Sequence, residues 1–332
     1  MGAASPRVSR IYSHVAMSVT APFRYSRLRD PEKRAISVSV DCDGVGDYGN
    51  FASGIAAEGI GADSLTYKVL IPRLLELFRR HGIRATFFCI GERLAGDGDA
   101  AVTMRQALTL GHAVGNHTFS HPDMSRCDPD RQRSEVLDGH RAIDDALKVA
   151  PVGYRGPAYH VSESTLDALS DLNYVYDSSA CPARLFPFAL SVLRLRNPQY
   201  RRKQPAPMQS LFTSDAPGVI ERTSAKPILE WPIPIALGLP FYGTFHAVAP
   251  RQVFYAHLLA AARRKHLHYE LHPIEVLDGR AAKSHPWLPT SRAVLKRGRD
   301  LISWLDERLG RLIVDREVMT LEELSASHLP LR

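Results

Sequence analysis

Short runs of β-branched and aromatic residues alternate along the chain with longer segments in which apolar residues recur at helical spacing. The first run, AISVSV at residues 35–40, predicts a strand that ends at Asp41. Residues 65–80 have the helical spacing and are followed by a His-Gly pair, which indicates that a helix stops there. A second apolar run, RATFFCI at residues 84–90, predicts the next strand.

The same alternation continues through the rest of the chain. Helices are predicted at residues 100–110, 129–149, 162–172, 251–264 and 291–309, and strands at 112–115, 153–155, 174–176, 228–233, 267–271 and 317–321. Strands that alternate with helices are typical of a parallel sheet covered by helices, and this many repeats favour a barrel over a small open sheet. In such a barrel the active site lies at the C-terminal ends of the strands.

Two segments depart from the alternation. Residues 1–34 precede the first strand and are predicted to be an N-terminal extension of a single domain at residues 35–325. Between about residues 183 and 226 the alternation fails, and the stretch RLRNPQYRRKQPAP, rich in arginine and proline, indicates an irregular insertion. The pattern shows neither an internal repeat nor a second domain boundary.

The most apolar stretch of the chain, residues 228–245, permits two interpretations. Glu230 and several proline and glycine residues interrupt it, which excludes a membrane-spanning helix. It is then either a core strand followed by a loop, or an apolar lip that meets an acyl or prenyl chain at a membrane surface. The lip would consist of Leu237, Leu239, Phe241 and Tyr242.

Composition is that of a soluble globular chain. Of the 332 residues, 45% are apolar and 23% are charged, which excludes intrinsic disorder, a collagen helix and a coiled coil. The formal net charge of +7 is a mild basic excess that would favour anionic partners. Because no basic stripe interleaved with aromatic residues and no nucleic-acid-binding motif accompanies this charge, we expect no nucleic-acid partner.

The cysteines and the N-terminal segment bear on the compartment. The four cysteines are widely spaced and form no Cys-x-x-Cys pair, which predicts reduced thiols. Residues 1–30 contain no apolar run of the length that a secretory signal needs. We therefore expect a cytoplasmic protein, associated with the inner face of the membrane if the apolar lip exists.

Two acidic residues, Asp41 and Asp43, stand at the end of the first predicted strand with Cys42 between them. Two carboxylates this close raise each other's pKa unless a cation separates their roles, which suggests one metal ligand and one proton acceptor. Strand-end pairs of this kind also serve as helix caps or solvated turn residues. The pair therefore points to chemistry only if another part of the chain answers it.

Two histidines, His117 and His121, do answer it. They follow another predicted strand end, in the sequence NHTFSH, and their spacing lets both imidazoles point at one ion. A lone histidine would more often be a core or surface residue. Nitrogen ligands together with a carboxylate favour zinc, cobalt or nickel over magnesium or calcium. Three protein ligands would leave room for water and substrate, as a catalytic site requires.

Three more polar residues stand at or near predicted strand ends. Arg155 could hold a carboxylate in a fixed fork, or form a surface ion pair. Asp177 lies in YDSS and could equally cap a turn or a helix. His272 ends a strand in ELHPIE and is either a general acid or a buried polar residue.

Taken in order, these five segments resemble the motifs of the NodB-homology polysaccharide deacetylases, carbohydrate esterase family 4. The resemblance runs from about residue 35 to residue 321, and its most specific parts are the HxxxH at 117–121, YRGPAY at 154–159 and YDSS at 176–179. It implies a distorted (β/α) barrel of about seven parallel strands, in agreement with the alternation above. It also implies a hydrolase that acts on carbon–nitrogen bonds other than peptide bonds.

The resemblance assigns the metal and proton-transfer roles. It implies that Asp41 is the catalytic base and that Asp43, His117 and His121 bind a divalent transition metal, with zinc expected first and cobalt or nickel as alternatives. His272 would protonate the leaving amine. Amide hydrolysis needs this acid because an unprotonated amine is a very poor leaving group.

The remaining motif residues would orient these groups and bind substrate. The resemblance implies that Arg155 orients the base, that Asp177 tunes the catalytic histidine and that Pro157 shapes the substrate groove. A backbone N–H near Tyr159 would stabilise the oxyanion, and Trp231 would be an aromatic residue of the groove.

The chain departs from the family pattern in two places. The usual first motif has adjacent aspartates, whereas here Cys42 separates Asp41 from Asp43, so the division of base and ligand between them depends on relatives with a D-x-D spelling. The tryptophan that usually accompanies the fourth motif is missing next to Asp177.

An amino sugar is the substrate class implied by the resemblance. Because a cytoplasmic relative needs a substrate made inside the cell, we expect N-acetyl or N-formyl removal from a lipid-linked or polysaccharide-precursor sugar. Two alternatives are hydrolysis of a non-sugar amide or cyclic imide, as in allantoinase-like relatives, and an inactive carbohydrate-binding protein. An aromatic-lined groove would favour sugars, and a closed pocket would favour imides.

Overall fold

The apolar runs of the sequence become the strands of one central sheet. The computed structural model of the chain describes residues 24–28, 33–47, 65–96, 98–182, 214–221 and 226–328. Its strands are β1 Arg24–Arg27, β2 Ala35–Asp41, β3 Ala85–Cys89, β4 Ala113–Asn116, β5 Gly153–Tyr154, β6 Tyr176–Asp177, β7 Gly218–Glu221, β8 Ile228–Glu230, β9 Ile235–Ala236, β10 Leu239–Pro240, β11 His266–Leu271 and β12 Glu317–Val318.

Helices connect most of the strands. They are α1 Ile71–His81, α2 Gly91–Gly96, α3 Gly98–Thr109, α4 Pro129–Leu147, α5 Glu163–Asp171, α6 Gly243–Val248, α7 Arg251–Ala261, α8 Gly279–Ser284, α9 Pro289–Arg297, α10 Leu301–Leu312 and α11 Leu321–Ala326. A single π-helical turn precedes α1, and short 3₁₀ turns follow β4, β5 and β11. None of the helices among the described residues is long and apolar enough to cross a membrane.

The sheet has the parallel, barrel-like topology that the alternation predicts. Its strand order is β1-β7-β8-β6-β5-β4-β3-β2-β11, with β12 paired to the start of β2. From β8 to β11 every neighbouring pair is parallel, so seven strands run in the same direction. The expected distorted (β/α) barrel of about seven parallel strands is therefore confirmed.

Strand β2 lies between β3 and β11, and all seven of its residues are buried. Its side chains alternate in kind, as they alternate in direction along any strand. Ile36, Val38 and Val40 belong to the main hydrophobic core beneath the helices. Ser37 and Ser39 point the other way and hydrogen-bond to histidines of β11, so the inside of the barrel is polar. Asp41 continues this polar row to the C-terminal edge of the sheet.

The predicted helix at residues 291–309 is wrong as a single element. The structure has two helices, α9 and α10, separated by three residues. Gly298 ends α9 in the left-handed region at φ 60°, which a glycine adopts without steric cost. The Asp300 side chain then accepts from Ser303 N at 3.1 Å and caps α10.

The end of the predicted N-terminal extension takes part in the sheet. Strand β1 pairs antiparallel with β7, which lies within the predicted insertion. Strand β7 in turn pairs antiparallel with β8 at the end of the parallel array. Most of the extension and residues 183–213 of the insertion lie outside the described residues.

The most apolar stretch of the chain, residues 228–245, contributes mainly to the core. This agrees with the first of its two interpretations, a core strand followed by a loop. Phe241 is completely buried among core residues, which removes it from the proposed apolar lip. Leu239 and Tyr242 are half-buried. Leu237 alone of the four is well exposed, at 64%, in the turn between β9 and β10.

Trp231 does not line a substrate groove, so its predicted role in substrate binding is wrong. The indole is 1% exposed and packs with Tyr176, Leu321 and Leu324. Its Nε1 donates to Ser325 Oγ at 2.7 Å. The ring also contacts His266, which begins β11, whereas the C-terminal end of β11 leads to His272.

We predict that Trp231→Ala will lower the free energy of unfolding by about 3–5 kcal/mol, because it removes a large, fully packed side chain. Urea denaturation of the folded variant measures this loss. The matched control is Trp287→Ala, since Trp287 is only partly buried at the edge of the core and should cost less. An unchanged unfolding free energy together with a raised KM would instead place Trp231 at the substrate.

Candidate metal centre

The polar residues singled out in the sequence meet at one edge of the sheet. Asp41 and Asp43 follow β2, His117 and His121 follow β4, and His272 follows β11. Because these strands belong to the parallel run β4-β3-β2-β11 of the sheet, their C-terminal ends share an edge. The predicted convergence of side chains distant in sequence is what the structure shows.

Asp43, His117 and His121 form a compact group of possible metal ligands. Asp43 Oδ1 lies 3.3 Å from Nε2 of His117 and 3.3 Å from Nε2 of His121. A tetrahedral ion with bonds of about 2.0–2.1 Å separates neighbouring ligand atoms by roughly 3.3 Å. Asp43 Oδ1 is buried and has no hydrogen-bond partner of good geometry among the residues that the structure describes. The donor set and its spacing therefore fit a divalent transition metal.

Electrostatics favour a carboxylate and imidazoles in this group. Burial alone would raise the pKa of Asp43, but the His121 and His117 imidazoles hold it well below the usual range. Burial in turn would lower the pKa of His121, and the carboxylate of Asp43 instead raises it to about 9.

The loop between the two histidines is held in an unusual backbone conformation. Thr118 and His121 both have positive φ angles, 67° and 54°, which residues other than glycine rarely adopt. Glu135 of α4 compensates, because its buried carboxylate accepts from the N–H groups of Phe119 at 3.0 Å and Ser120 at 2.8 Å. Glu135 was not among the residues that sequence reasoning identified, since nothing in its local pattern distinguishes it from a helix-surface acid.

A backbone carbonyl group fixes the orientation of the His117 imidazole. Its Nδ1 lies 2.7 Å from the carbonyl oxygen of Arg155, which can only accept a hydrogen bond. Nδ1 therefore donates to this carbonyl, and Nε2, which faces Asp43, is the ring nitrogen placed to bind a metal. Partners of this kind fix the tautomer of metal-binding histidines and the direction of their rings.

Arg155 is completely buried and holds Asp41 in place. Its Nη1 donates to Asp41 Oδ1 at 2.6 Å and to Ser39 Oγ at 2.9 Å. Its Nε donates to the Ser178 carbonyl oxygen at 2.9 Å, and the guanidinium lies over the Phe88 ring. The alternative of a surface ion pair is therefore excluded.

The other oxygen of Asp41 faces the centre of the group. Asp41 Oδ2 lies 4.0 Å from His117 Nε2 and 4.0 Å from His272 Nε2. Because Arg155 occupies Oδ1, Oδ2 is the oxygen that can accept a proton between the histidines.

His272 completes the group from the β11 side. Its Nε2 lies 3.4 Å from Glu270 Oε1, 3.9 Å from Asp43 Oδ2 and 4.0 Å from Asp41 Oδ2. Burial lowers its pKa, although the nearby carboxylates of Asp43 and Asp41 oppose that shift. The position at the end of β11 that the sequence indicates is therefore correct, and the imidazole faces the carboxylates.

Asp177 occupies a different environment from the one that the resemblance implies. Its Oδ1 accepts from Ser179 Oγ at 2.5 Å, and its carboxyl group pairs with that of Glu230. Nδ1 of His272 is instead 3.0 Å from Thr244 Oγ1. The expectation that Asp177 tunes His272 is therefore wrong. The physical reason is that the carboxyl group of Asp177 hydrogen-bonds to Glu230 on the neighbouring strand β8.

Glu270 is a buried acid of the site to which sequence reasoning gave no role. It is fully buried, and the Tyr159 phenol donates to both of its carboxylate oxygens, at 2.9 and 3.0 Å. Burial and the charge of Asp41 raise its pKa well above the usual range. Its place two residues before His272, on the same face of β11, was the available signal.

The two predicted substrate residues after β5 lie beside this acid. Pro157 is buried and opens a 3₁₀ turn, and Tyr159 is half-buried with its ring against Cys181 and Ile233. The N–H of Tyr159 itself donates to the Gly156 carbonyl oxygen at 2.9 Å, so that amide is not available to an oxyanion. Substrate contact by Pro157 and Tyr159 stays a prediction.

Sequence comparison identifies the family. Residues 63–176 match the family model described as polysaccharide deacetylase. This region of the chain belongs to the polysaccharide deacetylase family. The matched region includes His117, His121 and Arg155. Asp41, Asp43 and His272 lie outside it, and the strand order of the sheet places them next to the matched residues. The predicted resemblance is confirmed.

Curated relatives that this chain matches carry related names. A chitooligosaccharide deacetylase of Bradyrhizobium sp. (strain ANU 289) is 40% identical over 87 residues, which cover 26% of this chain and 38% of that protein. A peptidoglycan deacetylase of Helicobacter pylori (strain ATCC 700392 / 26695) is 27% identical over 158 residues, 47% of this chain and 53% of that protein. The chain thus spans between about a third and a half of the length of such relatives.

A solved structure extends the likeness to nearly the whole chain. A protein from Mycobacterium smegmatis whose name places it among the polysaccharide deacetylases aligns with a TM-score of 0.61 and 17% identity. The alignment covers 91% of this chain and 93% of that one. At this identity the likeness concerns the fold alone, and it agrees with the barrel described above.

We predict that the Asp177–Glu230 pair makes the protein less stable as pH rises from about 4 to about 7. Burial raises the pKa of Asp177 to about 6 and that of Glu230 further, so the folded state holds protons that the unfolded state releases. Stability is then greatest below the unfolded pKa values and falls as pH rises through the folded ones. Glu230→Gln, which mimics the protonated form, should reduce this loss, so the free energy of unfolding of the variant should vary less with pH than that of the wild type.

Urea denaturation at a series of pH values measures the effect. The matched control is Glu92→Gln on the exposed face of α2, which should keep the wild-type pH dependence. A Glu230→Gln profile parallel to that of the wild type would show that the pair does not share a proton.

Proposed function

We propose that this chain is a metal-dependent amide hydrolase that removes an N-acetyl or N-formyl group from an amino sugar. The observation that carries the proposal is Asp43 Oδ1 at 3.3 Å from Nε2 of both His117 and His121. Asp41 Oδ2 and His272 Nε2 lie beside this group. A metal group, a carboxylate and a second imidazole are the components that hydrolysis of an amide requires.

Asp43, His117 and His121 would bind the ion. A divalent transition metal held there would supply Lewis-acid chemistry, polarising an amide carbonyl and acidifying a water molecule. Two imidazoles and one carboxylate favour zinc, and the same donor set accepts cobalt or nickel. The orientation of His117 by the Arg155 carbonyl supports this ligand role.

Asp41 and His272 would move the protons. Asp41 Oδ2 takes a proton from the attacking water, while Arg155 holds Oδ1 and balances the charge of the carboxylate. His272, protonated at Nε2, gives a proton to the leaving nitrogen as the carbon–nitrogen bond breaks. The products are the free amine of the sugar and a carboxylate, so the water molecule supplies all the atoms that are added.

An amino sugar is the substrate class that the relatives support. They include proteins named chitooligosaccharide deacetylase, peptidoglycan deacetylase and chitin deacetylase. For this chain we propose a lipid-linked or polysaccharide-precursor sugar, handled on the cytoplasmic side at the inner face of a membrane. The four free cysteines, typical of a reducing compartment, support the cytoplasmic part of this narrower version.

We predict that His117→Ala will lose the metal and with it the activity, because a methyl group cannot replace an imidazole ligand. Metal analysis of purified protein should fall from about one equivalent to near zero. Acyl loss is followed by mass spectrometry across N-acetyl and N-formyl amino sugars, both free and lipid-linked, with metal-stripped enzyme as a blank.

The control is His112→Ala, since His112 is buried away from the centre and accepts from Ala85 N. Full metal content in His117→Ala would remove His117 from the ligand set. Wild-type protein that carries no stoichiometric metal after exposure to zinc, and removes no acyl group, would favour an inactive carbohydrate-binding protein.

A second prediction separates metal binding from proton transfer. His272→Ala should keep the metal and lose turnover by about 10²–10⁴-fold, because general acid catalysis contributes on that scale. The same metal analysis and mass spectrometry measure both quantities. A normal rate in this variant would exclude His272 as the acid.

A further inference from the structure

The Nδ1 side of His272 contacts a buried chain of hydrogen bonds. Nδ1 lies 3.0 Å from Thr244 Oγ1, and the Thr244 hydroxyl donates to Glu275 Oε1 at 3.1 Å. A hydroxyl has one proton, and here Glu275 takes it. Thr244 Oγ1 must then accept at Nδ1, so we assign the proton of a neutral His272 to Nδ1. That tautomer leaves the lone pair of Nε2 facing the carboxylates.

Glu275 is fixed on every side of its carboxylate. It is fully buried, and its Oε1 also accepts from the backbone N–H of His272 at 3.0 Å. Its Oε2 is 3.4 Å from Arg308 Nη2. Because each of these contacts places a donor against an oxygen, the geometry favours the ionised carboxylate as the end of the chain.

Arg308 of α10 anchors the chain in the core. It is fully buried, and its Nη1 donates to the Gly243 carbonyl oxygen at 2.9 Å and to the Tyr269 hydroxyl at 2.7 Å. Gly243 begins α6 and lies so close to the chain that a Cβ there would come within 2.2 Å of Glu275 Oε2. The residue beside Thr244 therefore has to be glycine for the hydroxyl to reach both partners.

A purely structural role for the Thr244 hydroxyl is poorly supported by its position. The N-cap of α6 is Tyr242, and that cap has no side-chain hydrogen bond. The hydrogen bonds that the structure gives the Thr244 hydroxyl are to His272 and Glu275. Its contacts are thus those of an orienting group.

We propose that Thr244 and Glu275 are positioning residues that keep a proton on Nδ1 of His272, so that Nε2 is the atom that takes up a proton, giving the imidazolium, and then releases it to the leaving nitrogen. The proposal rests on the proposed function, since it concerns the acid of that reaction. It places a hydroxyl backed by a carboxylate where the sequence resemblance led us to expect Asp177.

The first test reads the tautomer and needs no substrate. In zinc-loaded protein labelled with ¹⁵N-histidine at about pH 8, above the pKa of about 7 that burial gives Glu275, His272 should show a protonated Nδ1 and an unprotonated Nε2. The His272→Ala variant assigns the signal. Thr244→Val should shift the tautomer, and Thr244→Ser should restore it. A wild-type signal for protonated Nε2, or no change in Thr244→Val, overturns the proposal.

The second test uses leaving groups of different basicity. Triacetylchitotriose releases an amine that needs protonation, whereas para-nitrophenyl acetate releases a phenolate that does not. Thr244→Val should lower kcat on the amide by about 10-fold or more with KM changed less than about 2-fold, and should leave the ester rate within about 2-fold. Thr244→Ser should recover the amide rate. Equal losses on both substrates would indicate a structural role.

The matched control is Thr290→Val, because Thr290 is fully buried and its hydroxyl has no hydrogen-bond partner within the described part of the chain. It should change neither the tautomer nor the ratio of amide to ester rates. If the wild-type enzyme keeps its zinc but removes no acyl group from any amide, the proposed function fails. The NMR measurement then still decides whether Thr244 orients His272, so the two failures remain distinguishable.

Discussion

The buried guanidinium of Arg155 connects the parts of the site that come from different strands. Its side chain holds Asp41 of β2 and the Ser178 carbonyl after β6, and its own carbonyl oxygen orients His117. An arginine with no exposed surface is stable only when its donors are satisfied and its charge is paired. The barrel meets that requirement by aiming polar residues inward, so the same contacts that neutralise Arg155 also place Asp41 and His117, the proposed base and one proposed metal ligand.

The excess of buried acids around this cation gives the site its chemical character. Asp41, Asp43 and Glu270 approach His272 Nε2 within 4.0 Å, and such a concentration of carboxylates needs positive charge. Protons, protonated imidazoles and a divalent ion are the groups that can supply this positive charge. The proposed metal centre and the proposed acid–base pair both answer this one electrostatic demand. The hydrophobic packing of the outer helices offsets the cost of burying these groups.

Local sequence signals accounted for most of the architecture. Strand β2 and helices α3 and α4 lie close to their predicted bounds, because their patterns of burial repeat at the periods of a strand and of a helix. The apolar spacing of residues 291–309 predicts one continuous helix, but Gly298 divides it into two. A residue in the left-handed conformation ends the helical backbone without changing the spacing of the apolar residues. Trp231 showed the opposite error, because an aromatic side chain near a strand end serves the core or a groove equally well in sequence.

By itself the sequence determined the alternating fold, the residues that approach a metal and the strand ends that carry them, because these depend on local periodicity and on short motifs. Only the tertiary structure decided which groups touch. Glu135, Glu270 and Thr244 enter the site from elements with no motif of their own, and Asp177 is diverted to Glu230 by the pairing of β6 with β8. Hydrogen bonds between distant segments depend on strand order and register, and neither is written in the spacing of residues along the chain.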